Sequence, residues 1–281
     1  MIIHRTRQII HESGFFTKKK FGQNFLIDPH ILDTIIQASE ITNETNIIEI
    51  GSGLGSLTEA LAMHAKKVVS FEVDLSLEPL LRDNLSPYSN VELIFRDFMD
   101  VGLPEFIFKT FGDEPITVVA NVPYYITTPI LFKILECVSI KSALLMVQKE
   151  VGLRLTGKPN TKDYNALSVY MAYKTNSFIA GKVSKKSFYP APDVDSVLLR
   201  IKTVKNDYSP NNELKFLKFI RDLFAMRRKT LVNNLSGQYE IPKEELEKIL
   251  KNLGFSITVR SEELSLPQII KLYQEIVEKE E

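Results

Sequence analysis

The chain has 281 residues, 44% hydrophobic and 25% charged, enough length and apolar content to bury one large core, or one large and one small. Its single cysteine, Cys137, excludes an internal disulfide. No Cys and His residues stand at zinc-site spacing, and no run of about 18 apolar residues offers a membrane span, so neither a metal nor a membrane is expected. Lys and Arg total 35 and so do Asp and Glu, a balance that taken alone argues against a partner as acidic as nucleic acid.

The balance is not uniform along the chain. Residues 1–20 carry five Lys/Arg against one acid and lack the uninterrupted apolar stretch of a signal peptide, so a cytoplasmic protein is expected. Residues 21–140 carry six basic and seventeen acidic side chains, which suits a cationic or hydroxyl-rich small ligand. Within them Asp28-Pro29 reads as a helix N-cap followed by proline at the first helical position. The first strand, Asn46–Ile50, runs into EIGSGLGSLTEAL, where Gly51, Gly53 and Gly55 permit a tight turn and close backbone approach before a helix. A second strand, Lys67–Glu72, ends in an acid twenty-one residues beyond Gly51, the spacing at which such folds receive ribose hydroxyls.

That pattern alone also fits NAD enzymes. Three features favour S-adenosylmethionine instead. Glu49 occupies a strand end that is usually apolar in dinucleotide folds, from which it reaches the ligand through water or orders the loop. Asp97, after the third strand (Val91–Phe95), can accept from an adenine amino group while the Phe98 N–H donates to the ring. A carboxylate-lined pocket also suits a sulfonium cation.

The fourth strand, Ile116–Ala120, runs into Asn121-Val122-Pro123-Tyr124. This tetrapeptide fits methylation of an aromatic amine. The lone pair of adenine N6 is delocalised into the ring until acceptors turn the amine out of plane. The Asn121 side-chain oxygen and the Val122 carbonyl are two such acceptors, held by Pro123, and Tyr124 offers a face on which an extruded base can stack. Thr128-Pro129 reads as the start of another helix.

Residues 141–206 carry twelve basic side chains and four acids, and hold three further strands: Lys141–Val147, then Lys174–Ile179 and Ser196–Lys202 as a closing pair. Basic blocks on either side of an acidic one can form a phosphate-binding rim. Strands alternating with helical segments give an α/β fold with a parallel sheet, a Rossmann-like domain over 1–205. After Lys205 the turn-rich NDYSPNN leads into helix-period sequence, a small all-α domain over 206–281, whose last stretch is an amphipathic helix bearing Ile269, Ile270, Leu272, Tyr273 and Ile276.

With these residues in hand, the chain resembles the small-subunit rRNA adenine N6,N6-dimethyltransferases, the KsgA family, over nearly its whole length. FGQNFL (Phe21–Leu26), EIGSGLGSLT, FEVD, RDF, NVPYYITTPIL, MVQKEVGLRL, FYPAPDVDS and RRKTLVNNL look like the family's successive motifs, in order. Ser52, Arg96 and Tyr125 depart from it, standing where proline, glycine and asparagine are frequent. The resemblance implies that Asn24 and Leu26 close over the methionine end of S-adenosylmethionine, Gly51 lines it, Glu72 takes the ribose and Asp97 the adenine. It further implies that Asn121 serves both the methionine amino end and the target amine.

By the same resemblance Phe188 would be a second aromatic face for the target base, and Arg227, Arg228 and Lys229 would grip RNA phosphates. Gln148, Lys149, Glu150 and Arg154 read equally as intrahelical pairs. The implied reaction is methyl transfer to two adjacent adenosines in the 3′-terminal hairpin of small-subunit rRNA, within an immature small ribosomal subunit, by a monomer whose helical domain helps choose the RNA. Rival readings are a large-subunit rRNA adenine methylase of the macrolide-resistance type, a non-catalytic assembly factor and a small-molecule methyltransferase.

Overall fold

In the computed structural model, which describes residues 1–12, 23–204, 208–226 and 229–280, each of the apolar runs singled out above is a strand. In chain order the strands are β1 (Phe25–Leu26), β2 (Asn46–Ile50), β3 (Lys67–Glu72), β4 (Val91–Phe95), β5 (Ile116–Asn121), β6 (Ile140–Gln148), β7 (Thr175–Val183), β8 (Phe188–Tyr189) and β9 (Ser196–Thr203). The helices are α1 (Thr6–Glu12), α2 (Pro29–Ser39), α3 (Ser56–Ala62), α4 (Glu78–Leu85), α5 (Leu103–Phe111), α6 (Thr127–Glu136), α7 (Lys149–Leu155), α8 (Ala166–Lys174), α9 (Glu213–Leu223), α10 (Leu231–Leu235), α11 (Lys243–Asn252) and α12 (Leu266–Ile276).

Seven strands form one sheet in the order β4-β3-β2-β5-β6-β9-β7. β2 to β6 run parallel, and β9 returns antiparallel to β6. The central strands read as continuous apolar runs because helices cover both faces, leaving Ile47, Ile48, Val68, Val69, Val118 and Val119 buried. From β2 the chain first builds outward through β3 and β4, then returns to lay β5 on β2's other side. The strand order therefore reverses between β2 and β5, and open α/β sheets bind ligands at the carboxyl ends of the strands flanking such a reversal.

The start of α2 follows the sequence reading: the Asp28 side chain accepts from His30 N at 3.1 Å, with Pro29 opening the helix. The start of α6 does not. The helix begins at Thr127, not at Pro129, because a 3-10 turn over Tyr124–Ile126 runs directly into it and the Thr127 hydroxyl donates to Pro123 O and Tyr124 O. Pro129 is then the third helical residue, where a missing N–H is still harmless.

The chain forms two compact units, Met1–Gly152 with Phe178–Thr203, and Leu153–Ser177 with Val204–Glu281. In the first, α2 and α3 pack Leu32, Ile35, Leu57 and Leu61 against Ile47, Val119, Leu144 and Leu198 of the sheet. A second cluster gathers Ile2, Ile10, Phe25, Leu54, Leu81 and Leu85. The other unit is held by aromatic rings at edge-to-face geometry, Tyr173 on Phe216 and Phe216 on Tyr273 with centroids 5.0 Å apart in both pairs.

Residues 153–177, which the sequence reading places within 1–205, fall in this second unit. α8 gives Val169 and Tyr173 to its core, and the Tyr164 hydroxyl donates to Leu264 O at 2.7 Å. The final helix is as expected, opened by Ser265 in a capping box, with Ile269, Leu272, Tyr273 and Ile276 buried. Among the described residues no helix is long and apolar enough to cross a membrane, and no group of three or more His, Cys, Asp or Glu side chains is disposed to hold a metal ion.

Candidate active site

The loop after β2 begins the site. Gly51 and Gly53 take φ of 84° and 57°, the left-handed region that side chains disfavour. Gly51 N and Ser52 N both donate to Phe71 O, at 2.8 and 3.2 Å, which ties the loop to β3. A Cβ at Gly51 would stand 3.8 Å from Asn121 O, and one at Gly53 only 3.3 Å from the Phe25 ring. The loop is therefore flanked on one side by the end of β5 and on the other by the residues of β1.

Of the two places the sequence leaves open for Glu49, a water-bridged ligand contact or ordering of the loop, it takes the second. It is fully buried and lies outside the cavity lining, accepting from Ser70 Oγ at 2.5 Å and Thr58 Oγ1 at 2.6 Å, while Ser52 Oγ shares a 2.6 Å hydrogen bond with Ser70 Oγ. It orders the glycine loop and the first turn of α3 and does not touch the ligand space. Its other oxygen has no hydrogen-bond partner. Burial, opposed by the two hydroxyls, pushes its carboxyl up to about 7 from a usual 4.5.

A stability consequence follows. Between pH 4.5 and 7 the folded protein holds a proton on Glu49 that the unfolded chain has released, so this residue's contribution falls as pH rises through that window and levels off above it. Glu49→Gln should flatten that part of the pH profile, gaining on the order of 3 kcal/mol relative to wild type between pH 5 and pH 8. Urea unfolding of both proteins at the two pH values measures it; identical slopes would contradict the assignment.

At the carboxyl ends of β2 and β5 lies a cavity of about 260 Å³, lined by Asn24, Leu26, Gly51, Glu72, Asp97, Asn121 and Tyr124 among others. Glu72 Oε2 accepts from Gly53 N at 2.9 Å, and Oε1 accepts from Val73 N at 2.9 Å and Asp74 N at 2.8 Å. Burial raises its pKa while those three N–H groups oppose the rise. Asp97 Oδ1 caps the turn after β4 by accepting from Met99 N at 2.8 Å. Asn121 Nδ2 donates to Asn24 O at 3.2 Å, which fixes the amide plane and turns Oδ1 into the acceptor the side chain has to offer. The Tyr124 hydroxyl shares a 2.7 Å hydrogen bond with Ser196 Oγ, and burial raises its pKa, so at neutral pH it is a phenol with a fixed ring.

Phe188 is 2% exposed, paired with Leu26 in the antiparallel β1–β8 ladder and packed in the core cluster; it is absent from the cavity lining. Its ring supports Leu26 and offers no open stacking face. Lys229 is exposed in the second unit, while Arg227 and Arg228 lie outside the described residues.

Two features escape the sequence. Gln23 Nε2 donates to the buried Asp74 at 3.0 Å, a tether from the segment before β1 to the end of β3; the signal was the second acid of FEVD. Lys133 of α6 donates to Met99 O at 2.6 Å and sits 5.4 Å above the Phe98 ring, bracing the turn that carries Asp97. Lys133 is far from that turn in sequence, and no motif marks it.

Among the described residues, the lining offers two carboxylates, amide and carbonyl acceptors and one cationic side chain, Arg96, which donates to Asp100 O at 2.9 Å. A dinucleotide would place its pyrophosphate at the N-terminus of α3. There Ser56 Oγ is hydrogen-bonded to Thr6 Oγ1 at 3.1 Å and Ile2 N donates to Glu59 at 2.5 Å, while Ser56 and Leu57 also line the cavity. The two carboxylates suit a nucleoside bearing a cation.

The family model described as "Ribosomal RNA adenine dimethylase" matches residues 14–278. The chain is 43% identical over 280 residues to Ribosomal RNA small subunit methyltransferase A of Bacillus thuringiensis (strain Al Hakam), covering 98% of this chain and 96% of that one. To the protein of the same name from Anoxybacillus flavithermus it is 41% identical, covering 97% and 94%. Among solved structures, a dimethyladenosine transferase from Plasmodium falciparum superposes with a TM-score of 0.77 at 27% identity, covering 91% of this chain and 98% of that one. The 23S rRNA methyltransferase ErmE gives 0.74 at 25% identity, covering 90% and 99%.

Proposed function

Because the chain belongs to the ribosomal RNA adenine dimethylase family, we propose that it transfers methyl groups from S-adenosylmethionine to N6 of two adjacent adenosines in the 3′-terminal hairpin of small-subunit rRNA. The substrate is an immature small ribosomal subunit in the cytoplasm, and the enzyme acts as a monomer. The observation that carries the reading is the end of β5, where Asn121, its amide held by Asn24, stands beside Tyr124 in the cavity that also holds Glu72 and Asp97.

S-Adenosylmethionine would supply a methyl group made electrophilic by the sulfonium. Glu72 accepts the ribose hydroxyls, Asp97 accepts the adenine amine, and Asn24 with Leu26 covers the methionine end. Asn121 Oδ1 and the Val122 carbonyl accept the hydrogens of the target amine and draw its lone pair out of conjugation. Tyr124 stacks on the extruded base, recovering about 1–3 kcal/mol of the unstacking cost. A strong general base is unnecessary, because the methylated amine becomes acidic once its lone pair is used. The second unit helps select the RNA through its helical surface, with Lys229 and the neighbouring Arg227 and Arg228 meeting phosphate.

Two measurements test this. Purified protein should bind S-adenosylmethionine in calorimetry in preference to NAD, and Glu72→Ala should weaken binding about 10–100-fold, the loss of one or two hydrogen bonds to a charged acceptor. Labelled methyl should pass to unmodified small subunits and not to large ones. Transfer to large subunits alone would favour the activity named in ErmE; binding to small subunits without transfer would favour an assembly factor.

A further inference from the structure

We propose that Tyr125 is the stacking surface for the nucleotide next to the target adenosine, so that the site grips two consecutive bases. This rests on the function proposed above and extends it to how the RNA is held. Tyr125 lines the cavity yet is 64% exposed, whereas the ring of its neighbour Tyr124 is partly buried and tethered to Ser196. Among the described residues, the exposed large apolar side chains that line the cavity are Tyr125 and Val73, and Val73 belongs to the Glu72 side, where a cofactor ribose would lie.

The backbone under Tyr125 is fixed. Pro123 precedes the 3-10 turn, Ile126 N donates to Pro123 O at 3.1 Å, and the Thr127 hydroxyl reaches Pro123 O and Tyr124 O. A rigid turn that presents one aromatic ring into the cavity and the next to solvent has the form of a two-base platform. Stacking is indifferent to base identity, so such a platform takes the neighbouring nucleotide whichever of the two adenosines is in the cavity.

The test uses full-length protein, unmodified small subunits and labelled S-adenosylmethionine, with kcat and KM for the subunit measured separately. Tyr125→Ala should raise KM about 5–150-fold, the range for loss of one base stack, with a much smaller change in kcat and unchanged calorimetric cofactor affinity, which also reports that the site is folded. Tyr125→Phe should restore most of the loss, and Tyr125→Leu, apolar but without a π face, should resemble alanine. A wild-type KM for Tyr125→Ala, or Tyr125→Phe as impaired as alanine, overturns the inference while leaving the proposed function standing. Wild-type protein that methylates neither subunit overturns both.

Discussion

Asn121→Ala should slow methyl transfer by about 10²–10³-fold at saturating RNA and cofactor, the size seen when one preorganised hydrogen-bonding group aimed at a reacting centre is removed. The expectation rests on the 3.2 Å bond from Asn121 Nδ2 to Asn24 O, which leaves Oδ1 to accept from the target amine and spares the enzyme the cost of orienting it at the moment of reaction. Asn121→Asp keeps an acceptor but sets an oxygen against the Asn24 carbonyl, so it should fall between alanine and wild type. RNA affinity by filter binding should change little, and cofactor affinity by several-fold at most. A variant that regains the wild-type rate once both substrates saturate would show that Asn121 binds rather than activates.

Tyr124 should divide by chemistry of the replacement. Tyr124→Ala removes the stacking face and should reduce kcat/KM for the RNA about 5–150-fold. Tyr124→Phe keeps the ring and loses only the 2.7 Å bond to Ser196 Oγ, a cost of about 1 kcal/mol in ring placement. Ser196→Ala should reproduce the phenylalanine result, because it cuts the same bond from the other end. Since burial raises the Tyr124 pKa above its usual 10, no limb of the rate profile near neutral pH should belong to it. Tyr124→Ala methylating at the wild-type rate would dismiss the stacking role.

What the sequence exposes about this site follows from how local each feature is. Gly51, Glu72, Asp97 and Asn121 each stand at the end of a strand or within two residues of it, so the parallel sheet brings them to one edge, and all four line the cavity. β1 and β8 are two residues each, too short for any period, and their pairing depends on chain segments far apart. The resemblance alone puts Phe188 beside the target base; in the ladder it pairs with Leu26 and is buried.

The place of 153–177 is hard to read in the sequence for a related reason. α8 is apolar on several sides, with Val169, Tyr170, Met171 and Tyr173 all buried, and a helix without one apolar stripe does not declare which core it joins. One practical result is that a truncation after Lys205 would strip Phe216, Tyr273 and their neighbours from α8 and leave that face bare, so such a fragment is a poor probe of the first unit alone. Glu49 is open in the sequence between a water-bridged ligand contact and ordering of the loop, and the Thr58 and Ser70 hydroxyls place it with the loop.

The most direct measurement is the identity and position of the modified nucleosides. Unmodified small subunits incubated with the protein and S-adenosylmethionine would be digested and their rRNA mapped by mass spectrometry. N6,N6-Dimethyladenosine is expected at two adjacent positions in the 3′-terminal hairpin, and at far lower level after equal times when Asn121→Ala replaces the wild type. Methyl groups on another base, at a single adenosine, or on large-subunit rRNA would contradict it.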